Sequence, residues 1–214
     1  MLPTTLQEYI EQQILPRYQT FDSAHRIDHA QKVIANSMEL AQYYPVDEAI
    51  LYTAAAFHDT GLTEGRSHHH LVSGRIVRTD PQLPRWFTPQ QIETIAQAAE
   101  DHRASLGYHP RSIYGCIVAE ADRDIDPENI LRRTIQYGLS HYPHLTAQQQ
   151  YQRYCDHLHE KYASGGYLKL FFPQSRNAQQ LAKLRAIISN PTQTQSYFNA
   201  IYAELLNEVR QGDS

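Results

Sequence analysis

Helix start and stop signals recur along this chain of 214 residues, and almost nothing between them supplies what a strand needs. Thr88-Pro89-Gln90-Gln91 is the clearest start. It has a threonine at the cap, a proline at the first helical position where a missing N–H costs nothing, and a glutamine three residues after the cap. Thr146-x-x-Gln149 has the same form, and Thr5-x-x-Glu8 reads as a third capping box, with Pro16 ending the first helix. Ile27, Ala30, Ile34, Met38 and Ala41 share one stripe of a helix running from Ile27 to Tyr44, which Pro45 stops. Asp47 can cap a helix from Glu48 to His58. Gly61–Gly65 reads as a loop and His69–Arg78 as a helix. Ser112 can cap the helix with Ile113, Ile117 and Ala121 as its stripe, and Asp126-Pro127 opens one reaching Leu139. Ser175–Ile188 and Gln195–Val209 read as the last two helices, separated by Asn190-Pro191. Tyr167–Phe172 fits a strand, irregular chain or a helix turn equally well. The expected fold is all-α and a single domain over residues 1–214, with a seam near Tyr142-Pro143.

Composition excludes several classes of function. The net charge of −4 argues against a binder of duplex nucleic acid, which needs a basic surface. Hydrophobic residues at 41% and charged residues at 20% suit a globular chain rather than a disordered one. No apolar run approaches the ~18–20 residues of a membrane span, and the first residues lack the pattern of a signal peptide. Cys116 and Cys155 do not make a disulfide framework, so the expected location is a reducing cytoplasm. Histidine is the outlier, with 12 residues, several in tight groups.

Those groups fall where chemistry is expected. His58-Asp59 ends a helix whose preceding face, Ala54-Ala55-Ala56-Phe57, is apolar. His25 and His29 stand four apart, on one helical face. His102 shares a face with Ile92, Ile95 and Ala99, and Asp122 follows the apolar stretch Cys116–Ala121. A buried carboxylate needs a partner, and a cation is one. Each residue also has a bland reading. An inward histidine is commonly a hydrogen-bonded core residue, Asp122 can pair with Arg123, and His68-His69-His70 can be a solvated loop. What favours a metal site is the order His, His-Asp, Asp, with every member on an expected helix.

In that order and context the chain resembles the HD superfamily of metal-dependent phosphohydrolases. The resemblance rests on His29, on His58-Asp59 within Ala-Ala-Ala-Phe-His-Asp-Thr-Gly, and on Asp122 within Ala-Glu-Ala-Asp-Arg. His69-x-x-x-Ser73-Gly74-x-Ile76 and Ala98-x-x-x-His102-Arg-Ala-Ser also look like the bacterial branch. It spans residues 20–140, leaving 143–214 as a C-terminal helical extension of an HD-type bundle. It implies that His29, His58, Asp59 and Asp122 ligate one divalent ion, and that His69 and His102 can add a second. Only His69 among the three consecutive histidines has Ser-Gly at the family's spacing; His25 is read as pocket lining. Two imidazoles and two carboxylates suit Mn, Fe, Co, Ni, Zn or Mg rather than a thiolate-type structural zinc.

The implied reaction is hydrolysis of a phosphomonoester or phosphodiester, a nucleotide-type small molecule, by a metal-activated water. Asp59 then holds the metal and orients or deprotonates the water. A protonated histidine or Glu64 assists the leaving group. Here the chain departs from a nucleotidase-like pattern, since Leu62 stands where that branch has an acid. Lys32, Arg103 and Arg123 adjoin expected ligands and are the candidate phosphate contacts; Arg132 and Arg133 read as helix surface or an interhelical pair. Tyr108 is a candidate stacking surface, whereas Tyr43, Tyr44, Tyr151, Tyr154, Tyr197 and Tyr202 fit helix stripes. Phe198, Ile201, Leu205 and Val209 can pack on their own domain or form a homodimer. A nucleotide- or metal-binding sensor without turnover, a di-iron oxygenase, and a purely structural helical protein are the competing readings.

Overall fold

A computed structural model describes residues 2–21, 26–103 and 107–212, with side chains as far as residue 208. Among them are ten α-helices and no strand. The chain divides into two compact units, residues 1–123 and 124–214. The division falls at Arg123/Asp124 rather than near Tyr142-Pro143. Helix α7 (Pro127–His141) is the reason, because its Ile130, Leu131 and Ile135 bury together with Tyr154 and Leu158 of the C-terminal core.

In the first unit, α1 (Thr4–Tyr9) continues through a π-helical turn, Ile10–Ile14, into a 3-10 turn, Leu15–Thr20. Leu6, Ile10, Ile14 and Tyr18 follow one another at every fourth residue and are all fully buried. Two expectations fail here. Thr5 is not a cap, since α1 starts after Pro3 with no side-chain cap and the Thr5 hydroxyl instead accepts from Trp86 Nε1 at 3.0 Å. Pro16 does not end the helical path; it sits at the start of the 3-10 turn, where its lost N–H is tolerated.

Helix α2 (Ile27–Ala41) ends in a turn three residues short of Tyr44. Helix α3 (Glu48–Phe57) is capped by Asp47, which accepts from the N–H groups of Ala49 and Ile50. Every residue of α3 from Ile50 to Phe57 is buried. A helix buried on all sides ends inside the protein, and so α3 delivers the residues after Phe57 to the interior. Gly61–Gly65 is not open loop, for a 3-10 turn, Thr60–Glu64, covers most of it. It leads to α4 (His69–Thr79), α5 (Pro89–Asp101) and α6 (Ile113–Asp122). The Thr88 capping box forms with both reciprocal bonds, and Ser112 accepts from Gly115 N–H at the start of α6. Ile113 lies outside the expected buried stripe and is exposed.

The second unit holds α7, α8 (Ala147–Tyr162), α9 (Arg176–Ile188) and α10 (Pro191–Gly212). The Thr146 capping box is present, and Tyr167–Phe172 is irregular chain. Helix α10 starts four residues before Gln195 because Asn190 Oδ1 accepts from Gln193 N–H and Pro191 takes the first helical position. Phe198, Ile201 and Leu205 bury within this unit's own core. Arg132 pairs with Glu204 and Glu208 across α7 and α10. Tyr43 and Tyr197, expected in packed stripes, are exposed. Among the described residues no helix is long and apolar enough to cross a membrane.

Candidate metal centre

Five helices of the first unit bring their ends or faces to one place. His29 comes from α2, His58 and Asp59 from the end of α3, His69 from the first position of α4, His102 from the end of α5 and Asp122 from the end of α6. The end of α3 is built almost entirely by side chains. An α-helix leaves its last carbonyls without helical partners. Here Ala55 O accepts from His58 Nδ1 at 2.7 Å, Ala56 O from the Tyr18 hydroxyl at 2.9 Å, and Phe57 O from the Thr60 hydroxyl at 2.8 Å. The Tyr18 hydroxyl also accepts from Asp59 N–H at 3.2 Å. One buried tyrosine thus pins the backbone on both sides of His58.

The histidines repeat one device. His58, His69 and His102 each place Nδ1 against the carbonyl three residues back, at 2.7, 2.8 and 2.5 Å. A carbonyl only accepts, so Nδ1 carries the hydrogen and the neutral ring presents its Nε2 lone pair. The Nε2 atoms then face one another, His58 to His29 at 3.4 Å and His69 to His102 at 3.2 Å. At His69 and His102, where both hydrogens sit on Nδ1, two lone pairs face each other and repel unless a proton or a metal ion lies between them.

Asp59 connects the two histidine pairs. Its Oδ2 lies 3.4 Å from His58 Nε2 and 3.8 Å from His29 Nε2, while Oδ1 lies 3.3 Å from both His69 Nε2 and His102 Nε2. Asp122 Oδ1 completes the first group, 3.1 Å from His29 Nε2 and 3.7 Å from His58 Nε2. Donors that share one ion at bonds of ~2.1 Å stand about 3.0 Å apart in octahedral and about 3.4 Å apart in tetrahedral geometry. The spacings within each group, 3.1–3.8 Å in the first and 3.2–3.3 Å in the second, lie near those values. His29, His58 and Asp59 form one group able to hold a metal, and Asp59, His69 and His102 form another.

The electrostatics agree with the donor geometry. Burial lowers the pKa of His58, but the facing charges of Asp59 and Asp122 outweigh it and raise the ring to about 9. Burial likewise works against the Asp59 carboxylate, and His58 and His102 more than offset it, holding the group well below the usual carboxylate range. Asp122 is also lowered, its burial being overcome by His29 and His58. His69 is lowered chiefly by burial. Ionised carboxylates that draw a proton onto a buried ring offer the same field to a metal cation.

Backbone contact sets the second half of the cluster. Gly61 N–H donates to Ser73 Oγ at 2.9 Å, and a Cβ on Gly61 would run into the His69 carbonyl and lie 2.6 Å from Ser73 N. The Thr-Gly after the doublet and the Ser-Gly after His69 are thus two sides of one contact. His68 is not in the cluster; His70 is buried beside it, its Nδ1 without a hydrogen-bond partner and its pKa lowered by burial to about 4. His25 lies outside the described residues.

The candidate substrate and acid residues are distributed differently. Glu64 is paired with Arg75, both side chains more than half exposed, and no described contact joins it to the cluster. Arg103 Nη1 donates to Ser67 O at 2.8 Å, and its charge is felt by His69 and His70. Lys32 is exposed one turn beyond His29, and Arg123 is partly buried, its pKa lowered by burial. Tyr108 is half exposed, with its hydroxyl donating to Asp101 at 3.1 Å. Sequence reasoning missed Glu100 and Asp101, which are buried on the last turn of α5 and bound to Arg111. It also missed Tyr18, whose only sequence signal was its place in an apolar series of period four.

A profile of the HD domain family matches residues 26–124. No curated protein and no solved structure gave a match. The matched segment begins just before α2 and ends just after α6, so it contains all six donors. Residues 26–124 thus match the HD domain, a match consistent with the HD superfamily of metal-dependent phosphohydrolases.

Proposed function

We propose that this protein is a metal-dependent phosphohydrolase with two adjacent ion sites, acting on a phosphomonoester or phosphodiester of a small, nucleotide-type molecule. The observation that carries the reading is the division of Asp59. Its two oxygens face different histidine pairs at 3.3–3.8 Å. His29, His58 and Asp122 would hold one ion, His69 and His102 the other, with Asp59 shared. Divalent ions there supply Lewis acidity toward phosphoryl oxygens and bring the pKa of water down toward ~7.

The chain's own residues supply the rest. Asp59, only 3% exposed and anchored through its N–H by Tyr18, holds its carboxylate in one orientation and keeps it ionised. The Nδ1–H bonds of His58, His69 and His102 fix each ring's tautomer and aim, as outer bonds do for metal-ligating imidazoles. Arg103, next in sequence to His102 and tied to Ser67, is the best placed of the three cations to meet an anionic substrate beside His69. Lys32 and Arg123 are further phosphate contacts on the other side of the cluster. Glu64 can assist a leaving group only by giving up its ion pair with Arg75.

The test is phosphate release from a panel of nucleotides and phosphoesters with Mn present, comparing the natural protein with Asp59→Asn. Asparagine keeps the size and removes the charge. Release that disappears in the variant supports the reading and names the substrate class. No release from the metal-loaded natural protein across the panel contradicts it.

A further inference from the structure

Behind His102 lies a ladder of alternating charges that no ligand role accounts for. Asp101, 1% exposed, accepts from Arg111 N–H at 2.7 Å, from Arg111 Nε and Nη2 at 3.0 and 2.8 Å, and from the Tyr108 hydroxyl at 3.1 Å. Arg111 Nη2 also donates to Glu100 at 2.6 Å and to the Gln97 carbonyl at 3.3 Å. Glu100 in turn accepts from Arg78 Nη1 at 2.5 Å, and Arg78 grips Glu93 with Nε and Nη2 at 2.7 and 2.9 Å. The ladder joins α4 to α5 and ties the chain entering α6 to the last turn of α5. Gly74 belongs to the same contact, because a Cβ there would strike the Glu100 carboxylate. These two helices are the ones that carry His69 and His102.

We propose that the Arg111–Asp101–Glu100 clamp positions His102, so that affinity at the His69/His102 half of the centre depends on it and affinity at the His29/His58/Asp122 half does not. This rests on the two-ion reading above. Without Arg111 the buried Asp101 carboxylate has no cation and Glu100 keeps only Arg78, and removing the cation from a buried hydrogen-bonded pair is strongly destabilising to the groups left behind. Relief comes from moving the last turn of α5. His102 takes its tautomer-fixing bond from Ala99 O on that same turn, at 2.5 Å. A shift of the turn therefore misaims Nε2. The first half draws its donors from α2, α3 and α6 and has its own anchor in Tyr18.

The experiment is titration with Co(II) alone, read by visible absorption and by the number of ions bound. It uses the natural protein, His102→Ala, Arg111→Gln, Arg111→Lys and Tyr108→Phe. The natural protein is expected to bind two ions and His102→Ala one. Arg111→Gln is expected to keep the first ion and to lose at least about tenfold in affinity for the second, the scale seen when outer partners of metal ligands are removed. Arg111→Lys restores part of that loss. Tyr108→Phe removes only one bond at a half-exposed residue, folds normally, and weakens the second ion alone by a smaller factor. A merely structural clamp would lower the melting temperature and leave the second ion's affinity unchanged. Two ions of natural affinity in both Arg111→Gln and Tyr108→Phe overturn the proposal while leaving the two-ion reading intact. A natural protein that binds fewer than two overturns the reading and the proposal with it.

Discussion

Replacing Tyr18 by phenylalanine removes one oxygen from a fully buried ring and should destabilise the metal-free protein by about 2–4 kcal/mol. The figure follows from what the oxygen touches. The hydroxyl donates to Ala56 O at 2.9 Å and accepts from Asp59 N–H at 3.2 Å. A buried polar group left unsatisfied costs about 1–3 kcal/mol, and two are left here, one on each side of His58. The ring is 0% exposed, so its removal of a hydroxyl opens no path for bulk water. The edge contact with Phe21, at 5.3 Å between centroids, survives in the variant. Relief from burying the hydroxyl itself offsets part of the cost, which keeps the expectation below the sum of two upper values. The assay is urea unfolding at pH 7 in the presence of a chelator, with the exposed Tyr43→Phe as control, expected within about 0.5 kcal/mol of the natural protein. A Tyr18→Phe loss below about 0.5 kcal/mol with an unchanged urea slope would falsify the claim that this hydroxyl carries the end of α3.

Three further outcomes follow from the same geometry. Gly61→Ala sets a methyl group against backbone atoms of His69 and Ser73 that cannot rotate away, so it should lower stability by about 1–3 kcal/mol in thermal unfolding; a stability equal to the natural protein's would mean the turn and α4 are not in this contact. The metal-free protein should be most stable near pH 6.5. His58, raised to about 9 when folded, contributes stability that is lost as pH rises from about 6.5 to 9, and His70, lowered to about 4, contributes stability that is lost as pH falls from about 6.5 to 4. Stability that is flat across pH 5–9 in chelator would contradict both assignments. Leu158→Ala in the second unit, at a fully buried position, should cost about 2–5 kcal/mol, and a change under about 1 kcal/mol in denaturant unfolding would place that side chain outside a packed core.

What could be read from sequence was what short spacing determines. The Thr88 and Thr146 boxes and the Asp47, Ser112 and Asp126 caps depend on residues two or three apart, and all are found. Thr5-x-x-Glu8 has the same spacing but fails, because Pro3 starts the helix two residues earlier and Trp86, 81 positions away, takes the hydroxyl. Asn190-Pro191 looked like a separator and is a cap with its first helical residue.

The centre divides along the same line. His29, His58, Asp59, His69, His102 and Asp122 could be picked out from their order and flanking residues, and the fold brings them together. Their common Nδ1 bond could not, since it needs the actual trace of each helix end. Glu64 was the nearest acid along the chain, yet the turn directs it to Arg75. Glu100 and Asp101 were missed altogether. They are buried because Arg78 from α4 and Arg111 from the chain before α6 neutralise them there. Pairing across elements leaves no periodic trace in a single sequence.

The account stands on Asp59 being shared by two ions. The most direct measurement is anomalous diffraction at the manganese edge from crystals grown with Mn. The expected result is two peaks flanking the Asp59 carboxylate, one against His29, His58 and Asp122 and one against His69 and His102. A single peak, or peaks away from Asp59, would contradict it.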